Sequence, residues 1–423
     1  MVKIGVFSDT HIGRTIPNVV AEYRRKAFRH AFKQALNIFI EEEVEYVIHS
    51  GDVFERRSMT PGDTKFVKEE LQRLVDELDG EVKILVVRGN HDGTPENNVL
   101  DYVEHPLAKY LKVIGDSTLK GKVEIYEDDR IAAVGFGYTP YPASKIGEVK
   151  ESIRKRFEKV SAKHKIFIVH AFIEGHQDIP PGVPDHQIIP RRAVKNVGAD
   201  LIVAGHHHQH TPPTTIDGAT ILTPGATEAV DLSDETAHGV TIIELEEKLN
   251  YSFKPLKPLY KIRNAVVDGA GASREPEWYM ERGIIAAKEF SEMLKAEGIK
   301  GLMRLVLKGV IRGDKFDVEE NIDRELGKLR KENPLLLHVV LKNNLREIGT
   351  SLSVTETTSR SEFLSEVFKP LGEKRREAAL QLIDEVEFTL EEKASTKTGL
   401  LKPSDRRRFV ERWIKILEVE NND

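Results

Sequence analysis

Cysteine is absent from all 423 positions, which excludes a disulfide framework, thiolate metal sites and a cysteine nucleophile at one stroke. Any bound metal must be held by His, Asp, Glu or Asn. An uninterrupted apolar run of about eighteen residues is also missing, so no segment reads as a membrane span. The start, MVKIGVFSDTH, lacks the charged, apolar and small-residue stages of a secretory signal. These absences predict a soluble, cytoplasmic protein with no membrane partner. No G-x-x-x-x-G-K-[ST] phosphate loop occurs, so ATP dependence would have to come from a partner. Nor is there an excess of positive charge: 63 Lys and Arg face 69 Asp and Glu, a net charge of −6. Binding to nucleic acid would need locally concentrated positive charge.

What is present points to two or three domains, at roughly 150 residues each. Val2 to Ser8 is the continuous apolar run of a strand buried on both faces. Tyr23 to Glu43 follows with Ala27, Phe28, Ala31, Phe32, Ala35 and Leu36 at helical spacing, then a second strand at Glu45 to Ser50. The alternation continues with a helix over Asp63 to Leu78 and strands at Val82 to Arg88, Ile131 to Gly135, Lys165 to His170, Ala199 to Ala204 and Gly239 to Leu245. By pattern alone this predicts a layered α/β/α sandwich over residues 1–252. Lys254-Pro255-Leu256-Lys257-Pro258 reads as a linker that cannot continue a strand ladder. A small α/β domain is predicted over 259–345, with helices at Trp278 to Ala296 and Val318 to Lys331 between strands. After the polar stretch Thr350 to Ser361, a helical segment over 360–423 carries two apolar faces. One holds Phe363, Leu364, Val367, Phe368 and Leu371; the other holds Phe409, Val410, Trp413, Ile414 and Leu417. Such faces suit docking into a groove on another protein.

The chemistry gathers just beyond the strand ends. These carry Asp9 and His11, then Gly51-Asp52, Gly89-Asn90-His91-Asp92, His170, and Gly205-His206-His207-His208. In open α/β sheets, sites form outside the carboxyl ends of the strands, so five groups spread over two hundred residues can meet in one cleft. The set suits two metal ions bridged by one carboxylate, with Asp52 the natural bridge, clamping a phosphate and activating water. Oxygen and nitrogen donors without thiolate favour manganese, iron or zinc. The glycines allow close backbone approach where ligands crowd. For any one of these residues the ordinary alternative is a hydrogen-bonded surface polar group, and His207 reads as a spacer because neighbours at a strand end point opposite ways.

The pattern DTH, GD, GNHD, H and GHHH resembles the calcineurin-like metallophosphoesterases. The blocks IGVFSDTHIGR and GDVFERRSMTP, with the domain layout, are similar to the archaeal branch of the Mre-eleven/SbcD family of DNA double-strand-break repair nucleases. That resemblance implies a four-layer α/β/β/α sandwich (1–252), a small α/β DNA-capping domain (259–345) and a C-terminal helical segment (360–423). It implies two Mn²⁺ per subunit, one on Asp9, His11, Asp52 and His208 and the other on Asp52, Asn90, His170 and His206. His91 would stabilise the transition state or protonate the leaving oxygen, with Asp92 orienting it or capping a turn. The implied activities are 3′ to 5′ double-strand exonuclease and single-strand endonuclease, in a nucleoid-associated protein acting on duplex, hairpin and single-strand DNA ends. The implied partners are a Rad-fifty-like ABC ATPase at the C-terminal helices and a second copy of the chain through the helix at Asp63 to Leu78. Two other functions stay open: a phosphoesterase of small nucleotides or phosphoproteins, and a scaffold that tethers DNA ends.

Glu55 stands where several members of the family place a histidine linked to exonuclease action, which puts the balance of exonuclease and endonuclease activity in question. Arg14 suits either a phosphate contact or a salt bridge. Basic clusters at Arg24-Arg25-Lys26, Arg56-Arg57, Arg191-Arg192 and Arg406 to Arg408 are candidate DNA contacts; for each the alternative is a solvated face. His176, His186 and His210 lie in or near the site loops, and His49 reads as a packed histidine.

Overall fold

In the strand Val2–Phe7 the side chains of Val2, Ile4 and Val6 enter one buried cluster while Phe7 enters another, as the two-residue period of a strand requires. The sheet it belongs to is therefore covered on both faces. The computed structural model that shows this describes residues 1–347 apart from 196 and 217, then 364, 367, 368, 373–395 and 403–418. Two compact units, Met1–Arg346 and Glu347–Asp423, divide the chain.

In the first unit one six-stranded sheet runs in the order Leu249–Pro255, Gly239–Leu245, Val2–Phe7, Tyr46–His49, Lys83–Val86, Leu111–Val113. Val2–Phe7 pairs parallel with Tyr46–His49 and antiparallel with Gly239–Leu245. A second six-stranded sheet runs Thr211–Ile216, Ala219–Thr223, Leu201–Gly205, His164–His170, Ile131–Phe136, Tyr126–Glu127, with its interior pairs parallel. Ile4, Ile48 and Leu85 of the first sheet share a buried cluster with Ile166, Ile168 and Val203 of the second, so the sheets pack face to face. Helices Ala21–Glu41 and Pro61–Glu77 cover the outer face of the first sheet, where Phe7, Phe28, Phe32 and Phe39 lie buried. Each such ring contributes about 1.5–3 kcal/mol through burial. Helix Pro142–Phe157 covers the other outer face through Ile146, Val149, Ile153 and Phe157. The architecture is α/β/β/α, and the three-layer reading of the periodicity is corrected: a sheet buried on both faces gives the same apolar runs whether a helix or another sheet covers it.

The KPLKP stretch is corrected as well. Lys254 and Pro255 complete a strand, with Pro255 opposite Gly239. That strand is the outermost of its sheet, where a proline that cannot donate is tolerated. A three-stranded sheet follows, Lys261–Arg274, Gly301–Ile311 and Leu336–Glu347, with helices Pro276–Glu297 and Lys315–Glu332 packed on it through Phe290, Leu294, Ile322 and Leu326. The first helix opens on Pro276 and stops at Gly298, whose left-handed backbone (φ 64°) ends it in the usual way.

In the second unit, helix Glu373–Ser395 lies within the helical segment expected over 360–423, between its two apolar faces. It packs with Pro403–Glu418, burying Ala379, Leu382 and Phe409. Phe368 lies against Trp413 at 5.8 Å between ring centroids, while Val410 and Ile414 are exposed. Phe363 and Leu371 lie outside the described residues, as does the side chain of Leu417. Among the described residues no helix is long and apolar enough to cross a membrane.

A candidate metal centre at the strand ends

The site begins where the parallel strands stop. Asp9, His11, Asp52 and His206 all adopt left-handed backbone, with φ of 49°, 39°, 58° and 78°. Such conformations cost non-glycine residues on the order of 1–3 kcal/mol each and gather at functional sites. The loops after Val2–Phe7 and Tyr46–His49 are zipped together: the Asp9 N–H donates to the Gly51 carbonyl (2.9 Å) and the His11 N–H to that of Asp52 (3.1 Å). The buried Asp92 carboxylate accepts from the N–H groups of Asp52 (2.8 Å), Phe54 (2.9 Å) and Gly89 (2.9 Å). Asp92 therefore holds the Asp52 loop rather than His91. Gly89 and Gly205 permit the close approach, since a Cβ on either would overlap Asp52 or the Ser50 carbonyl oxygen.

Three overlapping groups of donor atoms result: Asp9 with His11 and His208, His11 with Asp52 and His91, and Asp52 with His170 and His206. Within each group all atoms lie within 4.8 Å of one another. Asn90 adds its carbonyl oxygen, 3.2 Å from the Nε2 of His170. Among the described residues, His207 joins none of these groups. The donors are poised for a cation. Asp9 Oδ1 and both ring nitrogens of His11 are buried without a hydrogen bond, Nδ1 having only the charge contact of the Glu55 carboxylate at 3.2 Å, an arrangement that costs free energy unless a further group satisfies them. Divalent ions suit this set of carboxylate, imidazole and amide donors.

Without an ion, the buried donors shift one another. Burial raises the Asp9 carboxyl to about 6. Burial pushes Asp52 the same way, but His170, His11 and His91 prevail and hold it well below the usual carboxylate range. For His170 burial opposes protonation, yet the Asp52 carboxylate 3.4 Å away pushes it up to about 9. His206, pressed down to about 3 by burial and by His170, is neutral at neutral pH and ready to donate a lone pair. His91 is fixed differently, its Nδ1 2.8 Å from the Glu55 carbonyl oxygen. A carbonyl only accepts, so Nδ1 carries the proton and Nε2 is left for the cleft.

A cleft of about 710 Å³ opens over Asp52, Asn90, His91, His206 and His208. A second cavity of about 470 Å³ lies on the other side of Asn90 and His91, lined by Arg56, Arg57, Arg88 and Tyr138. Of the basic clusters, Arg56-Arg57 is exposed at this rim. Arg24, by contrast, is 1% exposed and donates to the carbonyls of Ile16 and Ala229, so it is no DNA contact. Arg14 commits Nε to the Val230 carbonyl and Nη1 to Glu55. His210 stacks on Phe253 and His176 pairs with Thr214, away from the donor groups. Two supports escaped the sequence reading. His49 accepts from the Gly51 N–H at 3.2 Å and meets the Thr10 hydroxyl at 3.0 Å, bracing the Asp52 loop from beneath. Tyr138 lies 5.8 Å from the His206 ring and 6.4 Å from that of His170. Nothing in their spacing marks either one.

Residues 2–210 match the family described as calcineurin-like phosphoesterase, and the chain carries a calcineurin-like metallophosphoesterase domain. Among curated proteins it is similar to the DNA double-strand break repair protein Mre11 of Haloferax volcanii, at 24% identity over 58% of this chain and 49% of that one. The protein of the same name from Sulfolobus acidocaldarius is 26% identical over 57% of this chain and 60% of its own. The chain thus matches about half the length of these relatives. A dimetal phosphatase from Danio rerio is a structural neighbour with TM-score 0.41 and 12% identity, over 60% of this chain and 96% of the other.

Proposed function

We propose that this chain is a metal-dependent DNA nuclease that hydrolyses phosphodiester bonds at DNA double-strand breaks. The observation that carries this reading is the run of three donor groups sharing His11 and Asp52, which fits two divalent ions, Mn²⁺ in our reading. Asp9, His11, Asp52 and His208 would hold one, and Asp52, Asn90, His170 and His206 the other. Bound there, the ions would neutralise the phosphate and make water more acidic. The protein's own part is positional. Asp52 Oδ1 accepts the His91 N–H at 2.8 Å and so locks the catalytic histidine to the ligand loop. In its imidazolium form, with Nδ1–H held by the Glu55 carbonyl, His91 would present a second N–H at Nε2 to the cleft as the proton donor to the leaving oxygen, worth about 10²–10⁴ in rate, and would be left neutral after the transfer. Arg56 and Arg57 at the rim would take the DNA backbone through counterion release.

Residues 1–252 would be the nuclease domain and 259–345 the DNA cap. The paired helices within 360–423 would bind a Rad-fifty-like ABC ATPase, with the exposed Val410 and Ile414 as anchors. Helix Pro61–Glu77 would pair two copies of the chain. The activities proposed are 3′ to 5′ double-strand exonuclease and single-strand endonuclease, with the protein associated with the nucleoid. The relatives named Mre11 support the choice of DNA over small phosphoesters. The test compares end-labelled duplex, hairpin and single-strand DNA with bis-nitrophenyl phosphate under Mn²⁺. Cleavage of all three DNAs is expected; hydrolysis of the small ester with every DNA left intact would point to a phosphoesterase of small substrates.

A further inference from the structure

Glu55 touches both working parts of the site. Its side chain is 5% exposed, and both carboxylate oxygens accept from Arg14 Nη1, at 2.8 and 2.9 Å. Oε2 also lies 3.2 Å from the Nδ1 of His11, while the main-chain oxygen accepts from the Nδ1 of His91 at 2.8 Å. The Glu55 N–H in turn donates to the Ile12 carbonyl at 3.0 Å, so the residue is fixed from both ends. Arg14 is anchored by its Nε on the Val230 carbonyl at 2.7 Å. We propose that Glu55, clamped by Arg14, is a positioning residue that turns His11 into a metal donor and aims His91 at the cleft.

The chemistry follows from the ring. A carboxylate 3.2 Å from Nδ1 favours the proton on that nitrogen, which leaves the lone pair on Nε2, the atom that faces Asp52 at 3.9 Å. A carboxylate behind a ligand histidine also raises its basicity and fixes its plane. Arg14 holds that carboxylate in place and offsets its charge, so the buried anion does not repel a phosphate. Glu55 carries no side-chain donor for the DNA strand, and the Nε and Nη1 of Arg14 are committed to Val230 and Glu55. The position thus acts on the first metal site instead of on the substrate. This inference rests on the two-ion reading above.

The test is calorimetric Mn²⁺ titration of the full-length, metal-free protein, alongside steady-state cleavage of duplex DNA. Glu55→Gln keeps the shape and removes the charge. It is expected to weaken the tighter or the weaker of the two binding steps about 10- to 100-fold, and to lower kcat while KM for DNA changes less than about threefold. Arg14→Met should act in the same direction, and the double variant should be no worse than Glu55→Gln, because the two side chains work as one unit. A raised KM with unchanged Mn²⁺ affinity in Glu55→Gln would overturn the proposal in favour of a strand contact. Wild-type protein that binds no Mn²⁺ overturns both this inference and the function it rests on; wild-type binding matched by Glu55→Gln overturns the positioning role alone.

Discussion

Glu228 shows how burial sets the behaviour of a single residue. Its side chain is 4% exposed, and burial raises its carboxyl from 4.5 to about 7 against the opposing pull of Arg24. Below pH 4.5 the folded and unfolded chains both keep the proton, and the residue costs nothing. Between 4.5 and 7 the unfolded chain ionises first, so stability falls as pH rises; above 7 the full cost persists, on the order of 3 kcal/mol at most. Glu228→Gln should therefore melt at the wild-type temperature near pH 4 and a few degrees above it at pH 8. A pH-independent difference in calorimetric melting would refute this account. At this scale the sequence was legible where placement follows from type and position: Asp9, His11, Asp52, Asn90, His170, His206 and His208 stand out because side chains with donor atoms directly follow apolar strands, and the structure brings them together. It was not legible where the partner comes from a distant loop. Arg24 sits in a basic triplet that looks solvated, yet it is buried under carbonyls some two hundred residues away. The contact of Glu55 with His11 depends on two loops meeting at the Ile12 and Phe54 bridge, which no spacing announces.

At the scale of elements, the parallel strands were easy to read because burial on both faces leaves continuous apolar runs. The edge strands were hard. Thr211–Ile216 contains Pro212 and Pro213 and is paired with a shifted register, so proline hides a strand that the sheet edge tolerates. Helix Glu373–Ser395 was not singled out within the helical segment 360–423 for another reason: its residues favour helix individually but show no strong apolar stripe. The close packing of strand ends also yields a prediction. In Gly205→Ala the new methyl group would collide with the Ser50 carbonyl and crowd the Nδ1 of His170, neither of which can give way without moving a strand end. We expect a loss of about 1–3 kcal/mol, read as a lower melting temperature, together with weaker Mn²⁺ binding. Wild-type stability and affinity in this variant would show that the strand ends are looser than described.

At the scale of the molecule, two stacked sheets turn the carboxyl ends of their central strands toward a common rim, which brings together residues as far apart in sequence as Asp9 and His208. The donor groups all lie within Met1–Arg346. A chain ending at Arg346 should therefore melt in a cooperative transition and bind Mn²⁺ as the full chain does; a molten product, or one that binds no metal, would contradict that independence. The net charge of −6 is no obstacle to DNA at this scale, because two divalent ions would add about four positive charges where the phosphate must sit. The central claim is most directly tested by Mn²⁺-dependent cleavage of end-labelled linear duplex by the wild type and by Asp52→Asn. The account predicts cleavage by the wild type that chelation abolishes, and none above background in the variant. Cleavage by Asp52→Asn at the wild-type rate, or wild-type protein inert on DNA with Mn²⁺ present, would contradict it.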